Sequence, residues 1–421
     1  MKIVIASDIY YPMTNGVAVF SRNLAMGLVK RGHEVMVICP SFNGKYHVDY
    51  DNGVKTVHLT SAKFPFYPDQ INEVPERKEF LGMSMPRLAY KNGIWWSTKP
   101  YSEIKKVLKK FKPDVIHLQT AETIAIAIMR YVRKNDVPLV TTGHAYPDNV
   151  TGQFKFLKPV KKPVDAAVRT YMASFLKHSE YATMPTEMAI GDLVPKNRKR
   201  FKVSVEALSN GVDLTEYKPG EPRIDIVRKY RIDLKIPRII YVGRVDPEKS
   251  IDKVIEAFGL AVKRLPKVEL LIVGDGIAKP ELEKIVKEKG LDERVRFLGR
   301  VMPPDLYEIY RTGTVFATAS KTETQGIVLI EAAATGLPLI AVDAGAVREL
   351  CQDKKNGILC EPDNIKQIAN AMVTILTDKI TREQYSIGSL EIAKKHDINH
   401  TLLRFEEIYQ IAIDATTSKN S

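Results

Sequence analysis

One stretch of this 421-residue chain, residues 314–342 (TVFATASKTETQGIVLIEAAATGLPLIAV), constrains its fold more than any other. The runs Val315–Ala319 and Leu339–Val342 are short and apolar, which is typical of buried strands, and residues 336–338 (GLP) end the helix between them. Strand, loop, helix and strand in this order predict a βαβ unit of a parallel sheet. Ligands of such sheets bind beyond the carboxyl ends of the strands, which is where residues 320–326 fall.

Two glutamates lie within this frame, Glu323 in the loop and Glu331 in the helix. The helix begins after Gln325, so its first backbone N–H groups are free to hold a phosphate. We interpret Glu323 as a ligand of a sugar and Glu331 as a ligand of a ribose. Taken alone, the pair could equally be a solvated loop residue and an ordinary helix former.

The same strand–helix–strand plan opens each half of the chain, which predicts two α/β domains built on parallel sheets. We place the linker between the domains near residues 217–222. The predicted elements are the strand 2–7, the helix 17–31 and the strand 35–39 in the first half, and the strand 238–242, the helix 251–264 and the strand 268–273 in the second.

Polar residues follow several predicted strands at their carboxyl ends. His144 comes after the strand 137–142 and is suited to active-site work, with His117 as the competing histidine. Arg244 and Lys249 follow the strand 238–242, where two cations could neutralise a departing diphosphate. Surface charges and a hydrogen-bonded loop histidine are the alternative interpretations.

The formal net charge is +13, and all of the excess lies in the first 200 residues. This asymmetry indicates an anionic partner for the first half. The sequence holds no recognisable nucleic-acid-binding motif, so we expect a membrane surface rather than nucleic acid. A merely basic protein is the alternative. No apolar run is long enough to span a bilayer, and the opening residues MKIVIAS are typical of a strand rather than a signal peptide. The three cysteines lack the spacing of a metal site and suit a reducing compartment. We therefore expect a cytoplasmic protein on the inner face of the cell membrane.

A basic amphipathic helix at residues 101–112 is the strongest candidate for membrane contact. The alternative interpretation is that its apolar stripe covers a sheet while the lysines face water. Basic clusters at 155–162 and 196–202 and an aromatic stretch within 61–100 are further candidates. The membrane-facing residues that we predict are Lys105, Lys106, Lys109 and Lys110.

The run E-T-Q-G-I-V-L-I-E at 323–331 matches the E-x7-E signature of the retaining family-4 glycosyltransferases, and the G-R-x-x-x-x-K run at 243–249 resembles their donor-phosphate motif. The resemblance implies an α/β protein of the GT-B fold, with two facing Rossmann-like domains and an active-site crevice between them. The acceptor domain would be residues 1–216, completed by a terminal helix at about 396–416, and the nucleotide-sugar domain would be residues 217–395.

The resemblance also implies roles for single residues. The catalytic set would be Glu323, His144, Arg244 and Lys249. The residues that bind the nucleotide sugar would be Gly16, Asn210, Gly276, Arg300, Val301, Thr324, Gln325, Gly326, Ile327 and Glu331. Family members of this kind retain the anomeric configuration, and we expect neither a metal ion nor a cofactor.

The expected function is transfer of a hexose, with UDP-glucose as the favoured donor, to a hydroxyl of a membrane lipid such as diacylglycerol. The loop S-K-T-E-T-Q-G is similar to that of glycosyltransferases that glucosylate diacylglycerol. The alternatives are a soluble or polysaccharide acceptor with GDP-mannose or another donor, a GT-B sugar-nucleotide epimerase, and a non-catalytic protein that binds lipid surfaces.

Overall fold

The computed structural model describes residues 1–13, 15–63, 95–144, 161–194, 201, 203–265 and 267–420. Most of the aromatic stretch within 61–100 lies outside the described residues, as do 155–160, 196–200 and 202 of the two basic clusters. Every residue that the sequence assigns to a catalytic, donor-binding or membrane-facing role lies within them.

The chain divides into two compact units. Unit 1 comprises Met1–Ser209 and Thr401–Ser421, and unit 2 comprises Asn210–His400. We expected the boundary at residue 217, but it lies seven residues earlier because the intervening segment packs on unit 2. The Val212 N–H donates to the carbonyl of His396 at 2.8 Å, and the Tyr217 ring lies edge-on to that of Tyr310 with centroids 5.7 Å apart.

The core of unit 1 is an eight-stranded sheet in the order β10-β9-β8-β7-β1-β2-β4-β3. The pairs are parallel except for β3, which runs antiparallel to β4. Helices cover both faces, so β1 is buried from its second residue onward. The strands are β1 (Lys2–Ala6), β2 (Glu34–Pro40), β3 (His47–Asp51), β4 (Val54–Leu59), β7 (Val115–Leu118), β8 (Leu139–Thr142), β9 (Tyr181–Met184) and β10 (Ser204–Ala207), with β5 (Ser61–Lys63) and β6 (Trp95–Ser97) forming a separate antiparallel pair.

The helices of unit 1 begin and end at residues that suit their termini. The Asn15 side chain caps α1 by accepting a hydrogen bond from the Ala18 N–H at 2.9 Å, and Pro100 occupies the first turn of α2. The helices are α1 (Gly16–Lys30), α2 (Pro100–Phe111), α3 (Thr123–Asn135), α4 (Lys161–Lys177) and α5 (Glu187–Leu193).

Unit 2 has a six-stranded parallel sheet in the order β13-β12-β11-β14-β15-β16. Its strands are β11 (Arg238–Val242), β12 (Glu269–Val273), β13 (Val295–Gly299), β14 (Val315–Ala317), β15 (Leu339–Val342) and β16 (Gly357–Cys360). Its helices are α6 (Ile224–Lys229), a 3₁₀ turn (Pro247–Lys249), α7 (Ile251–Ala261), α8 (Lys279–Glu288), α9 (Asp305–Arg311), α10 (Ile327–Ala334), α11 (Val347–Leu350), α12 (Ile365–Thr377) and α13 (Lys379–Lys394). Two apolar clusters fill the spaces between this sheet and its helices.

The last helix, α14 (Ile398–Asn420), belongs to unit 1 from Thr401 onward. Its Tyr409 hydroxyl lies 2.8 Å from Nδ1 of His117, and its Phe405 ring lies 4.9 Å from the same imidazole. The second nitrogen of His117 lies 2.7 Å from Oγ1 of Thr142. His117 is therefore a fully buried core residue with both ring nitrogens engaged, which removes it as a competitor of His144 for active-site work.

Candidate functional site

The carboxyl ends of three neighbouring strands of unit 2 bring the predicted donor residues together. Strands β12, β11 and β14 lie side by side in parallel, so the loops that follow them leave the same edge of the sheet. These loops carry Gly276, Arg244 with Lys249, and Glu323, respectively. Glycine is required where the first two loops touch, because a Cβ on Gly276 would lie 2.3 Å from the Val245 carbonyl oxygen.

Lys249 and Glu323 form an ion pair at this edge. The Lys249 Nζ donates to Oε1 of Glu323 at 2.7 Å, and each side chain is 15% exposed. Burial raises the pKa of Glu323, but the charge and hydrogen bond of Lys249 outweigh burial and hold that pKa below its ordinary value. Glu323 is consequently ionised at neutral pH. Its backbone is also held, since the Ala346 N–H donates to the Glu323 carbonyl at 3.2 Å.

Arg244 lies beside this pair but is tied to other carboxylates. Its guanidinium donates to Asp246 through one nitrogen and to Glu248 Oε1 through the other, the latter at 2.5 Å. It still contributes to the positive potential that lowers the pKa of Glu323. A phosphate that entered here would compete with Asp246 and Glu248 for the guanidinium, which favours bidentate contact with such anions.

The helix α10 points its amino terminus into the same edge. Gly326 precedes the helix with φ of 82°, a conformation that a side chain would strain, and the first turn contains no acidic residue. A β-carbon at Gly326 would also approach Cβ and Cγ of Glu323 to 3.6 Å. The first turn of α10 therefore begins directly beside Glu323, and the N–H groups at a helix amino terminus are the donors that an anion site uses.

Glu331 is held one helical turn further on by two tyrosines. The Tyr310 hydroxyl donates to Oε2 of Glu331 at 2.7 Å, and Tyr217 donates a second hydrogen bond. Burial raises the pKa of Glu331 to about 7 despite both donors. Sequence reasoning missed these tyrosines, because neither is near Glu331 in the chain.

The remaining predicted donor residues surround this edge. The Asn210 N–H donates to Oε1 of Gln325 at 3.2 Å, so the structure brings these two together, and both are buried. Val301 is 6% exposed and packs in an apolar cluster of unit 2, against which Ile327 also packs. Arg300 follows β13, and burial lowers the pKa of its guanidinium. Thr324 lies in the loop between Glu323 and Gln325 and is partly buried.

The predicted residues of unit 1 lie at the carboxyl edge of its own sheet. Nε2 of His144 lies 2.7 Å from Oε1 of Gln119, and its ring lies 5.2 Å from that of Phe20. Burial lowers the pKa of His144 to about 3, so the imidazole is neutral and its Nδ1 is left as an acceptor. Gly16 is exposed and starts α1.

Sequence reasoning missed a pair of carboxyl groups at this edge, Asp8 and Glu122. Asp8 follows β1 and accepts hydrogen bonds from the Thr123 hydroxyl at 2.8 Å and from the Ile124 N–H at 3.2 Å. Burial, and then the charge of Asp8, raise the pKa of Glu122 to about 8, while burial raises the pKa of Asp8 to about 6. Among the described residues, Oε2 of Glu122 has no hydrogen-bond partner.

The predicted membrane-facing helix is α2. Ile104, Leu108 and Phe111 are buried in an apolar cluster of unit 1, so the apolar stripe packs within the protein. The four lysines assigned to the membrane, Lys105, Lys106, Lys109 and Lys110, are all exposed. In this helix the lysines, rather than the apolar stripe, are therefore available for contact with an anionic surface. Within the described part of the chain, no helix is long and apolar enough to cross a membrane.

Comparison with known proteins finds a matching family profile for each half of the chain. The family profile described as "Glycosyltransferase Family 4" matches residues 14–216, and the profile described as "Glycosyl transferases group 1" matches residues 222–389. The two matches adjoin each other and together span most of the chain.

Individual relatives match along the whole length. The alpha-monoglucosyldiacylglycerol synthase of Streptococcus pneumoniae is 26% identical, over 100% of this chain and 87% of the relative. A GDP-mannose-dependent alpha-mannosyltransferase of Mycobacterium tuberculosis is also 26% identical, over 85% of this chain and 84% of the relative. The crystal structure of the Anabaena protein HepE in complex with UDP-glucose is 18% identical and gives a TM-score of 0.72, covering 97% of this chain and 99% of that one. The chain belongs to the family-4 glycosyltransferases and has the GT-B fold.

Proposed function

We propose that this glycosyltransferase moves a hexose, from UDP-glucose in preference to other donors, to a hydroxyl of a membrane lipid such as diacylglycerol with retention of configuration. Unit 2 would hold the donor and unit 1 the acceptor. The part of this proposal that concerns donor binding rests on the ion pair of Lys249 and Glu323, which lies beside Arg244 and the amino terminus of α10. Cations, a fixed carboxylate and the amino terminus of a helix meet there, as a nucleotide diphosphate sugar requires.

In this proposal the acceptor oxygen bonds to the anomeric carbon as the bond from that carbon to the diphosphate oxygen breaks. The departing diphosphate takes the proton of the acceptor hydroxyl on the same face of the sugar. Arg244, Lys249 and the first turn of α10 stabilise the charge that develops on the leaving group, so that no metal ion is needed. Glu323 accepts hydrogen bonds from sugar hydroxyls, Glu331 from the ribose, and His144 contacts the sugar through its neutral imidazole.

The choice of a lipid acceptor is supported by the diacylglycerol-glucosylating relative and by the exposed lysines of α2. The mannosyltransferase relative supports GDP-mannose as the second candidate donor. An epimerase would convert a sugar nucleotide without any acceptor, so incubation of the donor alone separates that activity from transfer.

The central experiment supplies radiolabelled UDP-glucose, UDP-galactose and GDP-mannose to the purified protein with diacylglycerol in vesicles or with soluble sugars. We expect label from UDP-glucose in the lipid extract, an α-linked product by NMR, and activity that survives EDTA. Glu323→Ala should abolish transfer while UDP still binds in calorimetry, because its carboxylate contacts the sugar. The matched control is Glu281→Ala, at an exposed glutamate of α8. A β-linked product, or label only in soluble sugars, would reject the respective part of the proposal.

Membrane association is tested separately by vesicle sedimentation. Binding to vesicles that contain phosphatidylglycerol should weaken with salt, and glutamine at Lys105, Lys106, Lys109 and Lys110 should weaken it by up to ~1 kcal/mol per lysine. Glutamine at four exposed lysines of unit 2, Lys284, Lys287, Lys289 and Lys354, is the control. Equal loss in the two variants, or equal binding to neutral vesicles, would remove α2 as the contact.

A further inference from the structure

We propose that His47, Asp49 and His58, on the β3–β4 hairpin of unit 1, form a binding site for a zinc-class divalent cation. The three residues belong to neither of the two carboxyl edges described above. One potential ligand atom from each residue lies within 4.8 Å of the others. Two imidazoles and a carboxylate are a donor set that Zn²⁺ prefers.

The strand register places all three side chains together. Strand β3 pairs antiparallel with β4, and His47 lies directly opposite His58. Asp49 follows His47 by two residues along β3, and side chains two residues apart point to the same face of a strand. The cluster is therefore a direct consequence of the hairpin pairing.

Two of the three ligand atoms already have the spacing that a zinc ion needs. Nε2 of His58 lies 3.2 Å from Oδ2 of Asp49. Ligands bound tetrahedrally to Zn²⁺ at about 2.0–2.2 Å lie about 3.3 Å from one another. The His47 ring is stacked on that of His58 with centroids 4.1 Å apart, so a small shift of the His47 side chain brings its nitrogen to the same spacing. His47 is only partly buried and Asp49 is exposed, which leaves room for this movement.

The outer nitrogens of both histidines are already held. Nδ1 of His47 lies 3.0 Å from the Lys45 carbonyl oxygen, to which it can only donate. Nδ1 of His58 lies 3.4 Å from Sγ of buried Cys39. Zinc-binding histidines characteristically engage the ring nitrogen that does not bind the metal in this way, which leaves Nε2 as the ligand.

The neighbouring carboxylate does not compete for the ion. Asp51, the next residue along the same face of β3, is paired with Arg22 at 2.7 Å. The expected ligand set is therefore two nitrogens and one carboxylate oxygen, with water in the remaining position.

The test uses the untagged, full-length protein after removal of metals with EDTA. Cobalt, which reports its coordination by visible absorption, should give a tetrahedral spectrum that saturates at one equivalent, and zinc should displace it. His47→Gln and Asp49→Asn should each weaken binding by about 10-fold or more. Both positions lie outside the buried core, so circular dichroism should show unchanged folding. His178→Gln, at an exposed histidine after α4, is the matched control and should bind as the parent protein does.

Hydrogen exchange locates the ion independently of these variants. Zinc should slow amide exchange in residues 47–59. The absence of a saturable cobalt spectrum, or equal binding by the parent, His47→Gln and Asp49→Asn proteins, would overturn the proposal. It would also fail if zinc protected the loops that carry Asp8 and Glu122 instead, because the ion would then occupy that carboxyl pair. None of these outcomes depends on whether the protein transfers glucose.

Discussion

The two units share one plan but differ in the electrostatics of their carboxyl edges. In unit 2 the glutamate of the edge is paired, since Lys249 holds Glu323 ionised at a pKa below its ordinary value. In unit 1 the carboxyl groups of Asp8 and Glu122 are buried next to each other, and their pKa values are raised. His144, which follows β8 at the same edge, is neutral because burial lowers its pKa. The comparison teaches that loops after parallel strands can leave one edge with an ionised carboxylate paired to a cation and the other edge with carboxyl groups held toward their neutral form.

The largest expected effect follows from removing the cation of the unit 2 edge. Lys249→Met should lower turnover by about 10²–10³-fold, because the departing diphosphate loses a charge that stabilises it in the transition state. Steady-state kinetics with the donor found in the transfer assay measures this loss. Lys253→Met is the control, since its ammonium pairs with Asp252 and Glu256 outside the edge. Unchanged turnover in Lys249→Met would refute the assignment of unit 2 as prepared for an anion.

The carboxyl pair of unit 1 predicts a stability that falls as the pH rises. The pKa of Glu122 is raised to about 8, so the folded protein binds a proton that the unfolded chain has released, and stability is lost between about pH 4.5 and 8. Glu122→Gln should remove this loss and stabilise unit 1 at pH 9 by up to a few kcal/mol, with little effect at pH 4. Hydrogen exchange of β1 and β7 at several pH values measures the difference. A Glu122→Gln protein that is less stable than the parent at pH 9 would show that the carboxylate has a cation partner.

The equivalent change in unit 2 should have the opposite sign. The pKa of Glu323 is lowered, so the ion pair stabilises unit 2 above the ordinary carboxyl range and is lost as the pH falls below it. Glu323→Gln should destabilise unit 2 by about 1–3 kcal/mol at pH 7, because Lys249 keeps its charge without a partner. Exchange of β11 and β14 amides at pH 7 and pH 3.5 tests this, and the effect should shrink at the lower pH. If Glu323→Gln and Glu122→Gln shifted stability in the same direction at high pH, the two edges would not differ as described.

The smallest effect concerns the tyrosine that holds Glu331. Tyr310→Phe should cost about 1 kcal/mol at neutral pH, because the buried carboxyl loses one of its two hydroxyl donors. Tyr307→Phe, on the same helix α9, serves as the control because its ring packs against Tyr217 at 4.7 Å while its hydroxyl does not bond to Glu331. Hydrogen exchange of the α9 and α10 amides in the whole protein measures both. Equal effects of the two variants would mean that the loss reflects packing rather than the hydrogen bond.

The sequence predicted the elements that place the donor residues. Two short apolar runs and the helix stop at Gly336-Leu337-Pro338 were enough to predict β14, α10 and β15 and to place Glu323 in the loop before the helix. Each of these signals is local, since strand, turn and helix preferences act over a few neighbouring residues. The GT-B fold was predicted correctly from these elements together with the family resemblance.

Contacts between distant parts of the chain were not predicted. Glu122 lies near Asp8 only because β1 pairs with β7, and Tyr310 reaches Glu331 from a different helix. The signal that could have found the first pair is a polar residue after each of two successive parallel strands. The β3–β4 hairpin was also missed, although Asn52-Gly53 is a strong type I′ turn signal and both residues have positive φ.

The path of α14 has a consequence for the order in which the protein folds during synthesis. Unit 2 is one continuous segment, whereas the core around His117 receives Phe405 and Tyr409 from the final helix. The ribosome therefore releases everything that unit 2 needs before it releases the last piece of unit 1. The unit whose translation begins first is therefore completed after unit 2, and a chaperone that binds nascent chains should find the sheet of unit 1 open until α14 has emerged from the ribosome.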